Sequence, residues 1–240
     1  MRKIKVAILD TGIDLNDSYL NSNCCGKKNF LLDSLSGEII VNEEVQDENG
    51  HGSACAYTIL NYSNNTEILP IKILDNSGKT YSKCLLLALK YLIYSDVKLI
   101  NISLATTNFS YKDEFFNICE ELVERGKIII ASQDNKLNES LPSILPNVIG
   151  VRGARFKDSE NYWYNSNAKI QCISDNEPMF IKVGKGECLK FGRNSKSAAL
   201  MTANISNLLS KSCEMMNFEQ VDRVLNSNAN RNVWDEYDLN

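Results

Sequence analysis

The stretch SKCLLLALKYLIYSDVKLINISL, residues 82–104, decides the fold class because it joins an amphipathic helix to a buried strand. Ser82 is the expected N-cap of the helix. The apolar residues that follow recur at the spacing of one helix face, namely Leu85, Ala88, Leu89, Leu92 and Ile93. The run Val97–Leu104 has no polar alternation, which is typical of a strand covered on both faces. The stretch therefore predicts part of a strand–helix–strand unit with a parallel sheet.

Similar elements continue on both sides of this stretch. Further strand-length apolar runs lie at Val6–Leu9, Ile68–Leu74, Ile128–Ala131 and Val148–Val151. A second helical pattern comprises Phe115, Ile118, Cys119, Leu122 and Val123, with Gly126 as its stop. The pattern of residues 68–131 thus predicts two consecutive right-handed βαβ units. Such units indicate an α/β fold in three layers, with a mainly parallel sheet and helices on both of its faces. Weaker signals predict short strands at Ile170–Ile173 and Phe180–Val183 and helices at Ser195–Ser210 and Phe218–Leu225.

The composition is that of an ordinary globular protein of 240 residues, 43% hydrophobic and 23% charged, with a formal net charge of −4. That charge argues against a nucleic-acid partner and against a basic membrane-binding patch. No apolar run approaches the roughly 20 residues that span a bilayer. Residues 1–240 are expected to form a single cytoplasmic domain with no signal peptide or long propeptide, while the oligomeric state is left open. The eight cysteines match no zinc motif and are expected to be reduced.

Polar side chains capable of chemistry stand at the ends of the predicted strands, where ligands gather in parallel sheets. Asp10 follows the first strand directly, and Gln133, Asp134 and Asn135 follow the run IIIAS. The only histidine of the chain, His51, lies between two glycines in NGHGSACAY, residues 49–57. A helix of small residues begins near Ser195 in FGRNSKSAALMTA, residues 191–203, so this hydroxyl is a candidate nucleophile.

Five segments in chain order resemble the motifs of one enzyme family. ILDTGID, NGHGSACAY, LINISLAT, GKIIIASQDN and RNSKSAALMTA are similar to the Asp, His, substrate-strand, oxyanion and Ser segments of the subtilisin-like serine proteases, also called subtilases or peptidase family S8. Each segment alone is a weak signal, but content and order together are specific. The resemblance covers roughly residues 4–210.

The resemblance implies a serine endopeptidase that acts through an acyl-enzyme. Ser195 would be the nucleophile, His51 the general base and Asp10 the group that orients the imidazole. Asn135 and the backbone N–H of Ser195 would stabilise the oxyanion. A peptide bound in extended conformation would contact the substrate-binding residues Ser77, Gly78, Lys79, Ser103, Leu104, Ala105, Thr106, Gln133, Asp134 and Arg193. Neither a metal nor another cofactor is expected.

The sequence departs from the family pattern close to the expected site. Arg193–Asn194–Ser195 stands where the family has Gly-Thr-Ser, Gln133–Asp134 stands where it has Ala-Gly, and Ala105 replaces a Gly. These changes predict a restricted pocket that favours basic or small polar side chains through Asp134. They favour narrow specificity, such as the maturation of a peptide by removal of its leader.

Several alternatives stay open. The chain is also consistent with a catalytically inactive subtilase-like module that binds peptides or regulates, and with an enzyme that transfers the acyl group to a peptide amine. Ser197 is a rival nucleophile, although it breaks the match to the Ala-rich tail. ILDTGID also resembles the loop of retropepsin-like proteases, but those chains are all-β. Asp14 and Asp75 are candidate calcium ligands, yet exposed aspartates are mostly only solvated, and no metal site is assigned.

Overall fold

A computed structural model of the chain describes residues 2–33, 35–183 and 187–230. The predicted domain, residues 1–240, also includes residues 1, 34, 184–186 and 231–240, which lie outside the described residues. The strands are β1 (Ile4–Asp10), β2 (Lys28–Leu32), β3 (Ile39–Asn42), β4 (Thr66–Lys72), β5 (Leu99–Ile102), β6 (Ile128–Ser132), β7 (Ile149–Ala154), β8 (Tyr162–Tyr164), β9 (Cys172–Asp175), β10 (Met179–Val183) and β11 (Glu187–Phe191). The helices are α1 (Ser18–Ser22), α2 (His51–Tyr62), α3 (Ser82–Ile93), α4 (Lys112–Glu124), α5 (Arg193–Lys211) and α6 (Phe218–Asn228), and a 3-10 turn covers Phe109–Tyr111.

Within the described residues, nine strands form one sheet in the order β3-β2-β4-β1-β5-β6-β7-β9-β8. All neighbours from β2 to β9 run parallel. The edge strands β3 and β8 are antiparallel to their partners. Strands β10 and β11 form a separate antiparallel hairpin. The predicted mainly parallel sheet is confirmed.

The side chains of β1 show why helices cover both faces of the sheet. Successive residues of a strand point to opposite faces. Val6 and Ile8 belong to a core that includes α2, α5 and α6, whereas Ala7 and Leu9 belong to a second core with α3 and α4. A strand with apolar side chains on both faces requires cover on both. The predicted three-layer arrangement is therefore confirmed.

The structure differs from the predicted elements mainly at their ends. Strand β5 is shorter than the predicted Val97–Leu104, so Ser103 and Leu104 lie beyond the strand and contribute to the site. The prediction that Ser82 caps α3 was wrong, since Tyr81 holds the cap position and no side chain caps the helix. None of the described helices combines the length and hydrophobicity that crossing a bilayer requires.

Candidate active site

The end of β1 and the start of α2 bring Asp10 and His51 into contact. His51 Nδ1 lies 2.7 Å from Asp10 Oδ1, and the Asp10 side chain is fully buried. The glycine after the histidine permits this approach, because a Cβ on Gly52 would lie 2.3 Å from the carbonyl oxygen of Gly12. The glycine before it, Gly50, adopts a left-handed φ of 90° that favours glycine. His51 thus lies between two glycines because the backbone on either side of it has no room, or no suitable conformation, for a residue with a Cβ.

The Asp10 carboxylate is held in place by three donors. Oδ1 also accepts a hydrogen bond from the Thr11 backbone N–H at 2.8 Å. Oδ2 accepts from the thiol of Cys55 at 3.5 Å. Burial raises the pKa of Cys55 well above its usual value, so the thiol stays protonated and acts as a donor. Cys55 was missed in the sequence, although its position one helical turn after His51 was a usable signal.

The His51 ring is part-exposed and packs edge-on against Phe191, with 5.4 Å between the ring centroids. Burial disfavours the imidazolium, but the charge and the hydrogen bond of Asp10 together outweigh it. The net effect raises the pKa of His51 above its ordinary value. An imidazole in this state accepts a proton readily, as a general base must.

Ser195 is the third residue of α5 and is almost entirely buried. Its hydroxyl donates to the Ser103 carbonyl at 3.2 Å, and among the described residues this is its hydrogen-bond partner. Ser195 nevertheless lines the same cavity of about 320 Å³ as His51 and Asn135. The structure therefore brings the predicted nucleophile, base and oxyanion residue to one cavity, with the hydroxyl directed at Ser103.

The rival nucleophile Ser197 faces away from this cavity. Its hydroxyl is fully buried and donates towards the carbonyls of Ser174, Asp175 and Arg193 at 3.0–3.2 Å. Lys196, between the two serines, forms a buried ion pair with Asp175 at 2.6 Å. The side chains after Ser195 thus anchor α5 to β9.

Asn194 links the nucleophile to the loop after β6, and sequence analysis missed it. Its side-chain amide donates to the carbonyls of Gln133 and Asp134 at 3.0 and 3.2 Å, and its Oδ1 accepts from the Gly153 N–H at 2.8 Å. Its backbone N–H donates to Asn135 Oδ1 at 3.4 Å. One buried side chain thereby positions both Ser195 and the loop that carries Asn135.

The predicted peptide-binding edge is shorter in the structure. Leu104 and Ala105 line the cavity. Thr106 exchanges two backbone hydrogen bonds with Leu141, at 3.0 and 2.8 Å, so these groups are not free for a peptide.

The opposite predicted edge contributes one residue to the cavity. Gly78 lines it, whereas Ser77 and Lys79 are bound through their backbone N–H groups to the Asp75 carboxylate within their own turn. These hydrogen bonds lower the pKa of Asp75. The two edges that a peptide can reach are therefore Leu104–Ala105 and Gly78.

The pocket residues Gln133 and Asp134 also line the cavity, and local hydrogen bonds engage some of their polar atoms, whereas the buried Gln133 Oε1 has no hydrogen-bond partner among the described residues. The Asp134 carboxylate accepts from the Lys136 N–H and from Asn138 Nδ2 at 3.1 and 2.9 Å. Gln133 Nε2 donates to the carbonyls of Leu137 and Asn138. Both of the Asp134 hydrogen bonds end on its Oδ2, so one carboxylate oxygen closes its own loop, and the selection of basic side chains through Asp134 stays a prediction.

Asp10, His51 and Cys55 are a group of described residues whose ligand atoms lie within 4.8 Å of one another, close enough to hold a metal ion. Thiol ligation requires loss of the proton. Burial instead keeps the Cys55 thiol protonated, and the thiol donates a hydrogen bond to Asp10. These three side chains therefore fit a hydrogen-bonded cluster around the Asp10 carboxylate better than a metal site.

A family model described as the subtilase family matches residues 1–236. The chain is 26% identical over 217 residues to "Intracellular serine protease" of Paenibacillus polymyxa, covering 81% of this chain and 63% of that protein. It is 24% identical over 236 residues to "Major intracellular serine protease" of Bacillus subtilis (strain 168), covering 91% and 72%. The chain thus spans less than two thirds of the Paenibacillus relative.

Solved structures share the fold at low sequence identity. A cold adapted subtilisin-like serine proteinase has a TM-score of 0.77 at 14% identity, covering 99% of this chain and 86% of the other. A lanthipeptide protease has a TM-score of 0.74 at 17% identity, covering 95% and 80%. These two similarities establish the subtilisin-like fold.

Proposed function

This chain belongs to the subtilase family, and from that premise we propose that it is a serine endopeptidase with Asp10, His51 and Ser195 as its catalytic triad. The observation that carries the proposal is the 2.7 Å contact between His51 Nδ1 and the buried Asp10 carboxylate, at a cavity that Ser195 also lines. This contact leaves Nε2 as the ring nitrogen that accepts a proton.

The reaction proceeds in two halves. Ser195 Oγ attacks the carbonyl carbon of the scissile bond while its proton passes to His51 Nε2, and Asp10 stabilises the imidazolium. The C–N bond then breaks, the proton moves from Nε2 to the leaving amine, and the acyl group remains on Oγ. In the second half, water gives a proton to His51 and attacks the ester, which releases the acid and restores Ser195.

The oxyanion formed in each half is stabilised by the Ser195 backbone N–H and the Asn135 side-chain amide. Asn135 Oδ1 accepts from the Asn194 N–H, and no described residue accepts from Asn135 Nδ2, which supports its assignment as the oxyanion donor. Loss of such a donor lowers kcat by on the order of 100- to 1,000-fold.

We propose an extended peptide as the substrate, paired with the backbone of Leu104 and Ala105, to which no described residue donates or accepts a backbone hydrogen bond outside helices and strands. A pocket bounded by Gln133 and Asp134 restricts the accepted side chains. Narrow specificity of this kind suits maturation of a peptide, such as leader removal. Two observations support this role: the intracellular naming of the curated relatives and the fold shared with a lanthipeptide protease. A single cytoplasmic domain remains a prediction.

One observation favours a second candidate, a non-catalytic module that binds peptides. The Ser195 hydroxyl donates to the Ser103 carbonyl, so catalysis requires it to rotate towards His51. Catalytic hydrogen bonds often form only in the substrate complex, which makes the enzyme the better-supported function.

A fluorophosphonate probe, which labels activated serines covalently, separates the two candidates. The wild type should be labelled, Ser195→Ala should not, and Ser197→Ala should retain labelling. Ser210→Ala, in the same helix, loses one local hydrogen bond to Asn207 and serves as the matched control. Circular dichroism checks that each variant is folded. A folded, unlabelled wild type would establish the binding module instead.

A further inference from the structure

Two cavities meet at the candidate catalytic residues. The cavity described above and a second one of about 430 Å³ share the residues Asn49, His51, Asn135 and Ser195. Of these two cavities, only the first is lined by the edge Leu104–Ala105. If the peptide segment before the scissile bond pairs with that edge, the segment after it must enter the second cavity. We call this second space, between the β10–β11 hairpin and the start of α5, the leaving-group cavity; its further lining residues are Pro178, Leu189, Lys190, Phe191, Gly192 and Arg193.

The leaving-group cavity is positively charged on a protein whose formal net charge is −4. Lys190 and Arg193 line it, and its described lining residues include no carboxylate. Lys190 also lies on the solvent-exposed side of the hairpin. Two cations therefore stand where the leaving segment of a substrate would lie.

The two acidic residues next to Asn176, the backbone partner of Arg193, are already paired with other cations. Asp175 binds Lys196 at 2.6 Å, and Glu177 binds Arg155 at 3.0 Å. Among the described residues, no carboxylate forms an ion pair with Arg193 or Lys190. These two charges are therefore available to a ligand.

Arg193 occupies a backbone conformation that an arginine does not favour. Its φ is 60°, in the left-handed region, which strains a residue with a Cβ but not glycine. Its backbone is fixed on both sides, since the N–H donates to the Asn176 carbonyl and the carbonyl accepts from the Ser197 hydroxyl. Backbone strain of this kind is concentrated at functional sites, and the Arg193 side chain is exposed at the cavity.

We propose that the leaving-group cavity selects peptides with Asp or Glu at the first or second position after the scissile bond, and that Arg193 is the main specificity-determining residue with Lys190 in support. This inference rests on the proposed function and extends it to the substrate class. A guanidinium presents two parallel N–H donors that match a carboxylate, which distinguishes Glu from its neutral isostere Gln.

The test is digestion of a mixed peptide library, with cleavage sites read by mass spectrometry. The wild type should enrich acidic residues at the first two positions after the cleaved bond. Arg193→Ala should lose most of this enrichment, and Arg193→Glu should replace it with a preference for Lys and Arg. Lys182→Glu makes the same charge change on the same hairpin outside the cavity lining and should retain the acidic preference.

Matched peptides that differ only in Glu or Gln at the enriched position then give the size of the effect. The ratio of kcat/KM should be about tenfold in the wild type, the combined effect of two partly exposed ion pairs. It should fall to about two- to threefold in Arg193→Ala, which retains Lys190, and to about one in Arg193→Ala/Lys190→Ala. The preference should weaken with added salt. Binding of the same peptides to Ser195→Ala, followed by fluorescence anisotropy, gives a readout independent of cleavage and should show the same order.

The outcomes separate this inference from the function on which it rests. Suppose that the fluorophosphonate labels the enzyme. If the labelled enzyme shows no acidic enrichment, or if the enrichment persists in Arg193→Glu, the inference about the leaving-group cavity is wrong and the proposed protease function still holds. A wild type that is neither labelled nor active, and whose Ser195→Ala form binds Glu and Gln peptides equally, overturns both.

Discussion

Replacing Lys196 with methionine should destabilise the protein strongly, because it leaves a carboxylate buried without its counter-charge. The Lys196 and Asp175 side chains are only 5% and 3% exposed, and their charged atoms are 2.6 Å apart. Lys196 Nζ also donates to the Glu177 carbonyl at 2.7 Å. Methionine matches the length of the lysine stem, so the perturbation is mainly electrostatic.

The expected loss for Lys196→Met is about 3–5 kcal/mol, the usual cost of breaking a buried ion pair by removing one partner. Asp175→Asn should cost less, about 2–4 kcal/mol, because the amide oxygen still accepts from the ammonium. The double variant Lys196→Met/Asp175→Asn contains no uncompensated charge. It should be more stable than Lys196→Met by about 2 kcal/mol, since removing both charges of a buried pair costs far less than removing one.

Urea unfolding followed by circular dichroism measures all four proteins of this cycle. With a slope of about 3 kcal/mol per molar, the Lys196→Met midpoint should fall by about 1–2 M, and the double variant should recover part of that loss. The exposed pair Arg155–Glu177 provides the matched control, and Arg155→Met should cost less than about 1 kcal/mol. A Lys196→Met loss below 1 kcal/mol, or losses in the double variant that simply add, would refute the reasoning.

Three further predictions concern the residues around Ser195 and His51. Arg193→Gly should raise the free energy of unfolding by about 0.5–1 kcal/mol, because the relief of left-handed strain exceeds the cost of the more flexible unfolded chain. A thermal melt with a lower midpoint than that of the wild type would contradict this. Asn194→Asp sets a carboxylate oxygen against two carbonyls and should lower kcat by about 10- to 100-fold with a smaller change in KM, as steady-state kinetics would reveal. The NMR resonance of His51, the only imidazole, should titrate above about pH 6.5, and Asp10→Asn should move the midpoint down. The stability contributed by the charged imidazole is complete below about pH 6.5 and is lost as the pH rises through the raised pKa, so urea midpoints of the wild type that increase over that range would count against the assignment.

Local patterns predicted most of the central architecture. The strand runs that became β1, β4, β5, β6 and β7 are continuous and apolar, and the helices α3 and α4 have clear one-face periodicity. Both signals are properties of consecutive residues. The edge strands β3 and β8 and the strand β2 beside β3 were not predicted, since short strands with part-exposed side chains have little hydrophobic pattern.

The sequence predicted which residues form the candidate site, but it did not predict all of the contacts between them. Asp10, His51, Asn135 and Ser195 were named from their motifs, and they lie together. Asn194 was passed over, because its role depends on Gly153 and Gln133, which are distant in sequence. Asp134 is expected to charge the pocket, and the pattern did not show that local donors in its own loop engage its Oδ2.

By itself the sequence determined the layers of the fold, the strand ends at which chemistry gathers, and the order of the candidate catalytic residues, because periodicity and motif order are local and linear properties. Only the tertiary structure decided which polar atoms are engaged. It pairs Thr106 with Leu141, which shortens the peptide edge, and leaves Arg193 without a carboxylate partner among the described residues. Hydrogen bonds and ion pairs depend on distances of a few tenths of an ångström between residues far apart in the chain, and packing alone sets those distances.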